Sequence, residues 1–464
     1  MALVADIVIP LPANLQSRDG GLTKDALMTN CFAEPRGEAL YVSPRPGSAL
    51  LSSTVTGADA QGAFNVNGGL FVIQNNIIYQ INSASTWALV GDAPVAYSTT
   101  PLSLAYPMLI QGNFLWTFDG TTLIKVTAPA YPSATVPGLV VLDSTVYVMT
   151  VDGQIRGSAV NNPTSWSALN SIVVDKGLGN PTWLIRHLSY IVAMGDAGIQ
   201  SFYDAANPAP GSPLSPVSND VSPFGNIYAI APAVYRDTVA WVTVGNRSSY
   251  SIMMMEQGKV STISTVDIEK VLAVQGGCVQ YTFAFHLEGA TFYGFTSTAC
   301  KTTFIYHKET GLWGLWTSPS VLSGETCYPF LYMRSNSQGG ITAVSVLTGA
   351  VVTLSMELMG DALLPQFSSY ARTARLDGGT AKRKFNHRLA LAADTSPSSI
   401  VSLRYTDDDY QTWSAWRDID LSYAWKQLNR LGSFRSRAFE LRYRGVSASV
   451  GFQSLELDVE KGSR

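Results

Sequence analysis

The sequence predicts an all-β protein: a β-propeller of about seven blade-like units, six on a stricter count, with a C-terminal β-sandwich platform joined by the N-terminal segment. Three observations predict it. Paired β-branched and aromatic runs recur along the middle of the chain, split by polar turns. Helical periodicity is nearly absent. Only 14 % of residues are charged, against a usual ~25 %, so much surface must be covered by neighbouring sheets or partners.

Residues 1–60 are irregular and proline-rich and contain an Arg45-Pro46-Gly47 turn. They are expected to pack with the platform. Two short stretches, Lys24 to Phe32 and Tyr423 to Leu431, have spacing that fits a turn or two of helix.

Residues 61–362 are the predicted propeller. Gly68–Ile81, Gly112–Val126 and Asp143–Val160 each read as two strands around a short turn: Asn75-Asn76, Asp119-Gly120 and Asp152-Gly153. Such pairs tolerate the positive φ of tight hairpins. Further units start at Leu188, Asp237, Ala290 and Gly339. Starts roughly 35–55 residues apart suit blades, and radial stacking buries both faces of each. The rival is a pair of β-sandwiches. Met253, Met254 and Met255 read as a blade core with one sulfur exposed. Trp313 and Trp316 are placed on one blade edge, for inter-blade packing ahead of sugar stacking.

Residues 363–464 begin a fresh run of strands. Val401, Leu403 and Tyr405, and Phe439, Leu441 and Tyr443, alternate with Arg404, Arg442 and Arg444. That is a half-buried sandwich with a basic outer face. Residues 365–464 hold 16 Lys and Arg against 11 Asp and Glu, whereas residues 1–364 hold 15 against 23. An acidic body argues against gripping nucleic acid. The basic module could meet an acidic protein or DNA, or be a solvated face.

No apolar run reaches the roughly 18 residues of a membrane span. The N-terminus lacks a basic region and is interrupted by Pro10 and Pro12, which does not fit a signal peptide. Cys31, Cys278, Cys300 and Cys327 form no CxxC pair and read as free buried thiols of a cytosolic product. One disulfide among the last three is the alternative.

Catalytic motifs are sparse. Thr406–Trp416, TDDDYQTWSAW, approaches the S/T-x-D-x-G-x-T-W Asp-box of sialidase-like propellers, with Tyr410 in place of glycine. A sialidase needs several such boxes, an arginine triad and a Tyr–Glu pair, and none can be assigned. His187, His286, His307 and His387 are far apart, which argues against a metal site. The triplet Asp407, Asp408 and Asp409 could bind a cation, but a solvated turn is the simpler reading. No cofactor is expected, and the chain reads as no enzyme.

Three segments together resemble a known family. YTDDDYQTWSAWRDIDL followed by AWKQLNRLGSFRSRAFELRYRG (Ala424–Gly445) looks like the closing module of the tail nozzle, or packaged-DNA stabilisation, proteins of short-tailed phages. Trp425, Arg430, Leu431, Gly432, Arg435, Arg437, Phe439 and Glu440 fit its motif. Asp409 and Tyr410 depart from it, where glycines are usual. Thr23–Leu51, with its R-P-G turn, is similar to the family's opening, and Asn161–Asn170 and His307–Ser318 to its blade hairpins.

The resemblance implies a structural virion protein made in the bacterial cytoplasm. It would be one subunit of a homo-oligomeric, six-fold ring below the portal and adaptor ring, beside tail fibres or spikes and a plug protein. Genomic DNA would pass through its lumen without sequence-specific binding. Arg435, Arg437, Arg442 and Arg444 are the residues expected to dock on the adaptor, and Tyr410 the one expected at a subunit contact. A tail-associated glycan-binding or sialidase-like propeller is the alternative.

Overall fold

The computed structural model describes residues 4–52, 60–66, 69–75, 77–81, 87–92, 108–111, 114–118, 122–218, 221–226, 230–244, 250–274, 279–297, 301–320, 324–335, 340–346, 348–397, 399–445 and 450–462. The all-β propeller with additional sheets is present. Five blades are complete four-stranded antiparallel sheets: blade 1 (60–92), blade 3 (135–173), blade 4 (181–216), blade 5 (233–262) and blade 7 (330–355 with Gly47–Ser52). Blade 2 (108–125) shows three strands among the described residues. Blade 6 (281–320) is a four-stranded meander that runs on into a larger sheet.

Turn chemistry sets the meanders. Asp143-Ser144, Gln257-Gly258 and Glu288-Gly289 each put two residues at positive φ between strands paired one residue either side. That is the twist-matched two-residue hairpin. Asn76, Asp119 and Gly120, in turns read from the sequence, lie outside the described residues.

Alternation then builds the ring, because each blade feeds side chains into the gaps on both sides. Phe64, Phe71 and Phe118 fill the gap between blades 1 and 2. Leu115, Val148 and Trp166 fill the next, and Tyr147, Met149 and Leu184 the one after. Trp183, Trp241, Met253 and Met255 join blades 4 and 5, whereas Met254 faces the opposite way, with Tyr293 and Trp313, between blades 5 and 6. Trp316 lies with Phe292 and Phe330 between blades 6 and 7. Val72 and Val351 close the circle from blade 7 to blade 1. All three methionines are buried, so the expected exposed sulfur is not found. Trp313 and Trp316 both lie on Leu312–Ser320, the last strand of blade 6, and are fully buried on its opposite faces in the gaps to blades 5 and 7, which is the expected inter-blade packing.

The seventh blade takes its outer strand from the N-terminal segment. Gly47–Ser52 pairs antiparallel with Val351–Ser355. A Cβ on Gly47 would lie 2.5 Å from the carbonyl oxygens of Leu358 and Gly360, so only glycine fits there.

Most of the rest of the N-terminal segment joins the platform, while Leu15 and Leu27 pack between blades 5 and 6 and Phe32 between blades 6 and 7. Val4–Pro10 pairs with Phe452–Lys461, and Cys31–Arg36 and Ala39–Pro44 lie in the same seven-stranded sheet. The facing sheet continues from blade 6 through Leu27–Thr29, Ser369–Arg372, Ala438–Tyr443 and Ile400–Thr406 to Arg417–Asp420. Leu389, Leu391, Leu403, Phe439, Leu441 and Leu457 pack between the sheets.

Neither predicted helical turn forms. Leu27–Thr29, Cys31–Arg36 and Gln427–Asn429 are strands. Lys176–Leu178 is a single 3-10 turn, and the one α-helix among the described residues is Val266–Val274. Its start is capped by the Thr265 hydroxyl, which accepts from the Ile268 amide at 3.3 Å. Cys31 and Cys327 are free and buried; Cys278 and Cys300 lie outside the described residues.

Candidate assembly surface

The hairpin after Ile400–Thr406 uses its three aspartates for three tasks. Asp408 ties its own turn: it accepts from the Thr406 hydroxyl and from the Gln411 and Thr412 amides at 2.9–3.1 Å, and from the Thr412 hydroxyl. The Thr412 hydrogen bonds, first among these, hold its carboxyl down at about 2. Asp409 accepts from Arg18 at 2.6 Å and Lys24 at 3.0 Å, and Arg375 lies 3.4 Å away. Those cations, Arg18 foremost, hold it at about 2 as well. It therefore pins the N-terminal loop to the platform. Asp407 grips Arg437 with both oxygens at 2.7 Å. Each aspartate of the triplet thus has a structural partner, while Asp407 and Asp408 stay exposed to solvent as the turn reading expected. Asp409 and Tyr410 take φ of +59° and +67°, the left-handed region that the family's glycines would enter freely.

Two of the expected contact residues face inward. Arg437 is 1 % exposed; it also donates to the Leu431 carbonyl at 2.8 Å and lies against the Tyr405 and Phe434 rings. Its charge is spent holding the platform together and is not available for docking. Tyr410 is buried, and its hydroxyl donates to the Thr373 carbonyl at 3.0 Å, so it offers no subunit contact.

The other three lie at the surface. Arg442 is half-buried over the Trp416 ring at 4.2 Å. Arg404 fills the space between Trp416 and Trp413 and pairs with Glu440. The basic outer face is therefore an arginine–tryptophan stack, partly neutralised. Arg444 is exposed and donates to the Ser368 hydroxyl, and Arg435 is exposed.

Sequence reasoning missed two features. Ser422, Tyr423, Ala424 and Trp425 form a run of four exposed residues, with Trp425 83 % and Tyr423 65 % exposed. The signal was the two aromatics beside buried Leu421 and Lys426, which a helical reading absorbed. The second is a cleft of about 420 Å³ on blades 3 and 4, lined by Asp143, Ser189, Tyr190, Tyr203, Asp204 and Val217.

A family model described as "Bacteriophage P22 Gp10, beta-propeller" matches residues 24–277, more than half of the chain. The chain belongs to this phage stabilisation family. It is accordingly a phage structural protein of the head-completion and tail class. The match covers the R-P-G segment and blades 1 to 5. It ends before the C-terminal module, where the sequence resemblance is densest.

No curated protein matches. Solved structures that this phage stabilisation protein resembles include the Neurospora crassa Pan2 WD40 domain (9 % identity, 67 % of this chain and 91 % of that one, TM-score 0.42). Others are the N-terminal domain of Nup159 (10 %, 71 % and 99 %, 0.42) and the computationally designed Ika8 protein (13 %, 70 % and 96 %, 0.39). No argument rests on them. No helix among the described residues is long and apolar enough to cross a membrane.

Proposed function

We propose that the chain is a subunit of the phage tail nozzle, a six-fold ring below the portal and adaptor ring. There it extends the DNA channel, retains the packaged genome and conducts it at ejection. The role is structural and not enzymatic. Family membership over residues 24–277 is the observation that carries the reading.

The architecture supports it. A closed propeller is a stiff wall element, and a continuous sheet from blade 6 couples it to the platform. Arg435 and Arg444 are the exposed cations through which the platform docks on the adaptor. The acidic balance of residues 1–364 suits a channel that lets phosphate slide past. Assembly takes place in the host cytoplasm, with fibres or spikes and a plug as neighbours. The Asp-box-like hairpin uses Asp408 to tie its own turn, a structural task that such a hairpin performs in any case and that gives the sialidase alternative no support.

Particles made without the chain should fill their heads and then lose DNA, and their tails should lack one ring of six-fold density. Full DNA retention in such particles, with an unchanged tail map, would overturn the reading.

A further inference from the structure

We propose that His187 is a proton-sensitive clasp across the seam between blades 4 and 5. In its neutral form it ties the end of a strand in one blade to a turn of the next, and in mild acid it lets go. The inference stands apart from the nozzle reading and is tested on the chain by itself.

Alternation places the ring in the seam. Trp183 and Ile185 of the strand Pro181–His187 pack against Val239, Trp241, Met253 and Met255 of blade 5. His187, two residues on, continues that row. It is 1 % exposed. Its Nε2 accepts from the Gly258 amide at 2.9 Å. Gly258 belongs to the exposed Gln257-Gly258 turn that joins Tyr250–Glu256 to Lys259–Thr262. One side chain thus holds a turn of the neighbouring blade, 71 residues further along the chain.

The bond exists in one protonation state only. A ring nitrogen that accepts an amide proton carries none of its own, so the proton of the neutral ring sits on Nδ1. Nδ1 is buried and has no hydrogen-bond partner. A second proton would turn both nitrogens into donors. Nε2–H would then face the Gly258 N–H, donor against donor, and the buried charge would have no acceptor. Protonation therefore has to part the pair: the turn moves out, or the ring swings away.

The surrounding charges do not rescue the protonated ring. On its own strand, Arg186 donates to the carbonyls of Leu188 and Val141. Tyr190, the cross-strand partner of His187, brings no charge. On blade 5, Glu256 is taken up by Lys308 at 2.8 Å, and Arg236 and Lys259 are exposed cations. Burial pushes the ring's proton affinity below that of a free histidine, and the one opposing influence, Asp237, is smaller. Asp237 holds neither nitrogen, since Nε2 is on Gly258 and Nδ1 has no partner. A histidine that binds its proton more weakly when closed stabilises the closed form above its ordinary value of about 6.5, and that contribution is lost as the pH falls below it. The window lies well above the one in which Asp408 and Asp409 titrate.

Hydrogen exchange at the Gly258 amide reads the clasp, because that proton is the one held. After correction for the intrinsic rate, it should exchange about five- to tenfold faster at pH 5.5 than at pH 7.5, since one unit of pKa is a factor of ten. His187→Gln keeps an acceptor that does not titrate, so its protection should be the same at both values. Asp237→Asn removes the opposing carboxylate, and the rise should begin at lower pH. A wild-type amide equally protected at both values, or an equal rise in His187→Gln, overturns the clasp. If the glutamine variant does not fold, Asp237→Asn decides: an onset unmoved from that of the wild type overturns it.

Discussion

Arg45 and Asp361 form a two-pronged ion pair, at 2.9 and 2.6 Å, with neither side chain exposed. The guanidinium also donates to Asn30, to the carbonyls of Pro46 and Thr317, and to the Ser318 hydroxyl, and it lies 3.7 Å from the Phe367 ring centroid. One side chain thus joins the N-terminal segment, the last strand of blade 6 and the passage from blade 7 into the platform. Removing one member of such a pair leaves a bare buried charge, at a cost of about 3–5 kcal/mol. Asp361→Ala should therefore lower the melting temperature sharply. Arg45→Met combined with Asp361→Ala should cost less than the two single losses added. Additive losses would show that the pair is not coupled.

Gly47 is the next weak point. With a Cβ 2.5 Å from two carbonyl oxygens, Gly47→Ala must push the strand Gly47–Ser52 off Val351–Ser355. A cost of about 1–3 kcal/mol is expected, as for other overpacked sites. Amide exchange should rise first in those two strands, where the propeller is closed. Unchanged protection there would mean the seam tolerates the methyl.

The propeller and the platform were legible because alternation and turn residues are local signals. Asp152-Gly153 and the runs around it announce a hairpin whatever the rest of the chain does. Where the first 60 residues go was not legible in the same way. Gly47–Ser52 joins blade 7 through a pairing about 300 residues away, and Cys31–Arg36 reaches the platform sheet through its hairpin partner Ala39–Pro44, in which Val42 pairs with Phe452 about 410 residues away. The helix Val266–Val274 was hidden by its length of nine residues. Arg435 and Arg437 look equivalent on a period of two. Asp407, at the end of the neighbouring strand of the same sheet, holds Arg437 in while Arg435 stays exposed. The ties of the Asp triplet were not legible because each partner lies in a distant segment or in the turn itself; its exposure at Asp407 and Asp408 was.

Acid should loosen the platform in a defined window. Asp408 and Asp409 have folded values of about 2, below the ordinary 3.8. A carboxyl that binds its proton more weakly when folded stabilises the fold above the unfolded value. That contribution is complete above about pH 4 and is lost as the pH falls toward 2. Melting temperature should drop across that interval. Asp409→Asn should flatten the drop, because the tie to Arg18 and Lys24 no longer titrates. An identical slope in the variant would place the acid sensitivity elsewhere.

Two tryptophans separate packing from presentation. Trp316 is fully buried, with ring centroids 5.0 Å from Phe292 and from Tyr328. Trp316→Ala should cost about 3–5 kcal/mol. Trp425, 83 % exposed, should be replaceable with serine within about 0.5 kcal/mol of the wild-type monomer. Urea unfolding of both variants under monomeric conditions measures the contrast. A large loss for Trp425→Ser would mean that the tip is packed in a way its exposure does not indicate.

Charge reversal sorts the platform arginines by role. Arg435 and Arg444 are exposed, so Arg435→Glu with Arg444→Glu should leave melting nearly unchanged. If the platform docks on an acidic partner surface, the same double variant should fail to complete tails, and particles carrying it should lose DNA. Arg437→Glu should behave in the opposite order. It sets a carboxylate against Asp407 in a site whose arginine is 1 % exposed, so the protein should unfold or fail to accumulate before any question of docking arises. Measuring melting and tail completion side by side decides between the two behaviours. A stable double variant that still completes DNA-tight tails would remove Arg435 and Arg444 from the docking surface, leaving the stack of Arg404 and Arg442 on Trp416 as the remaining cationic part of that face.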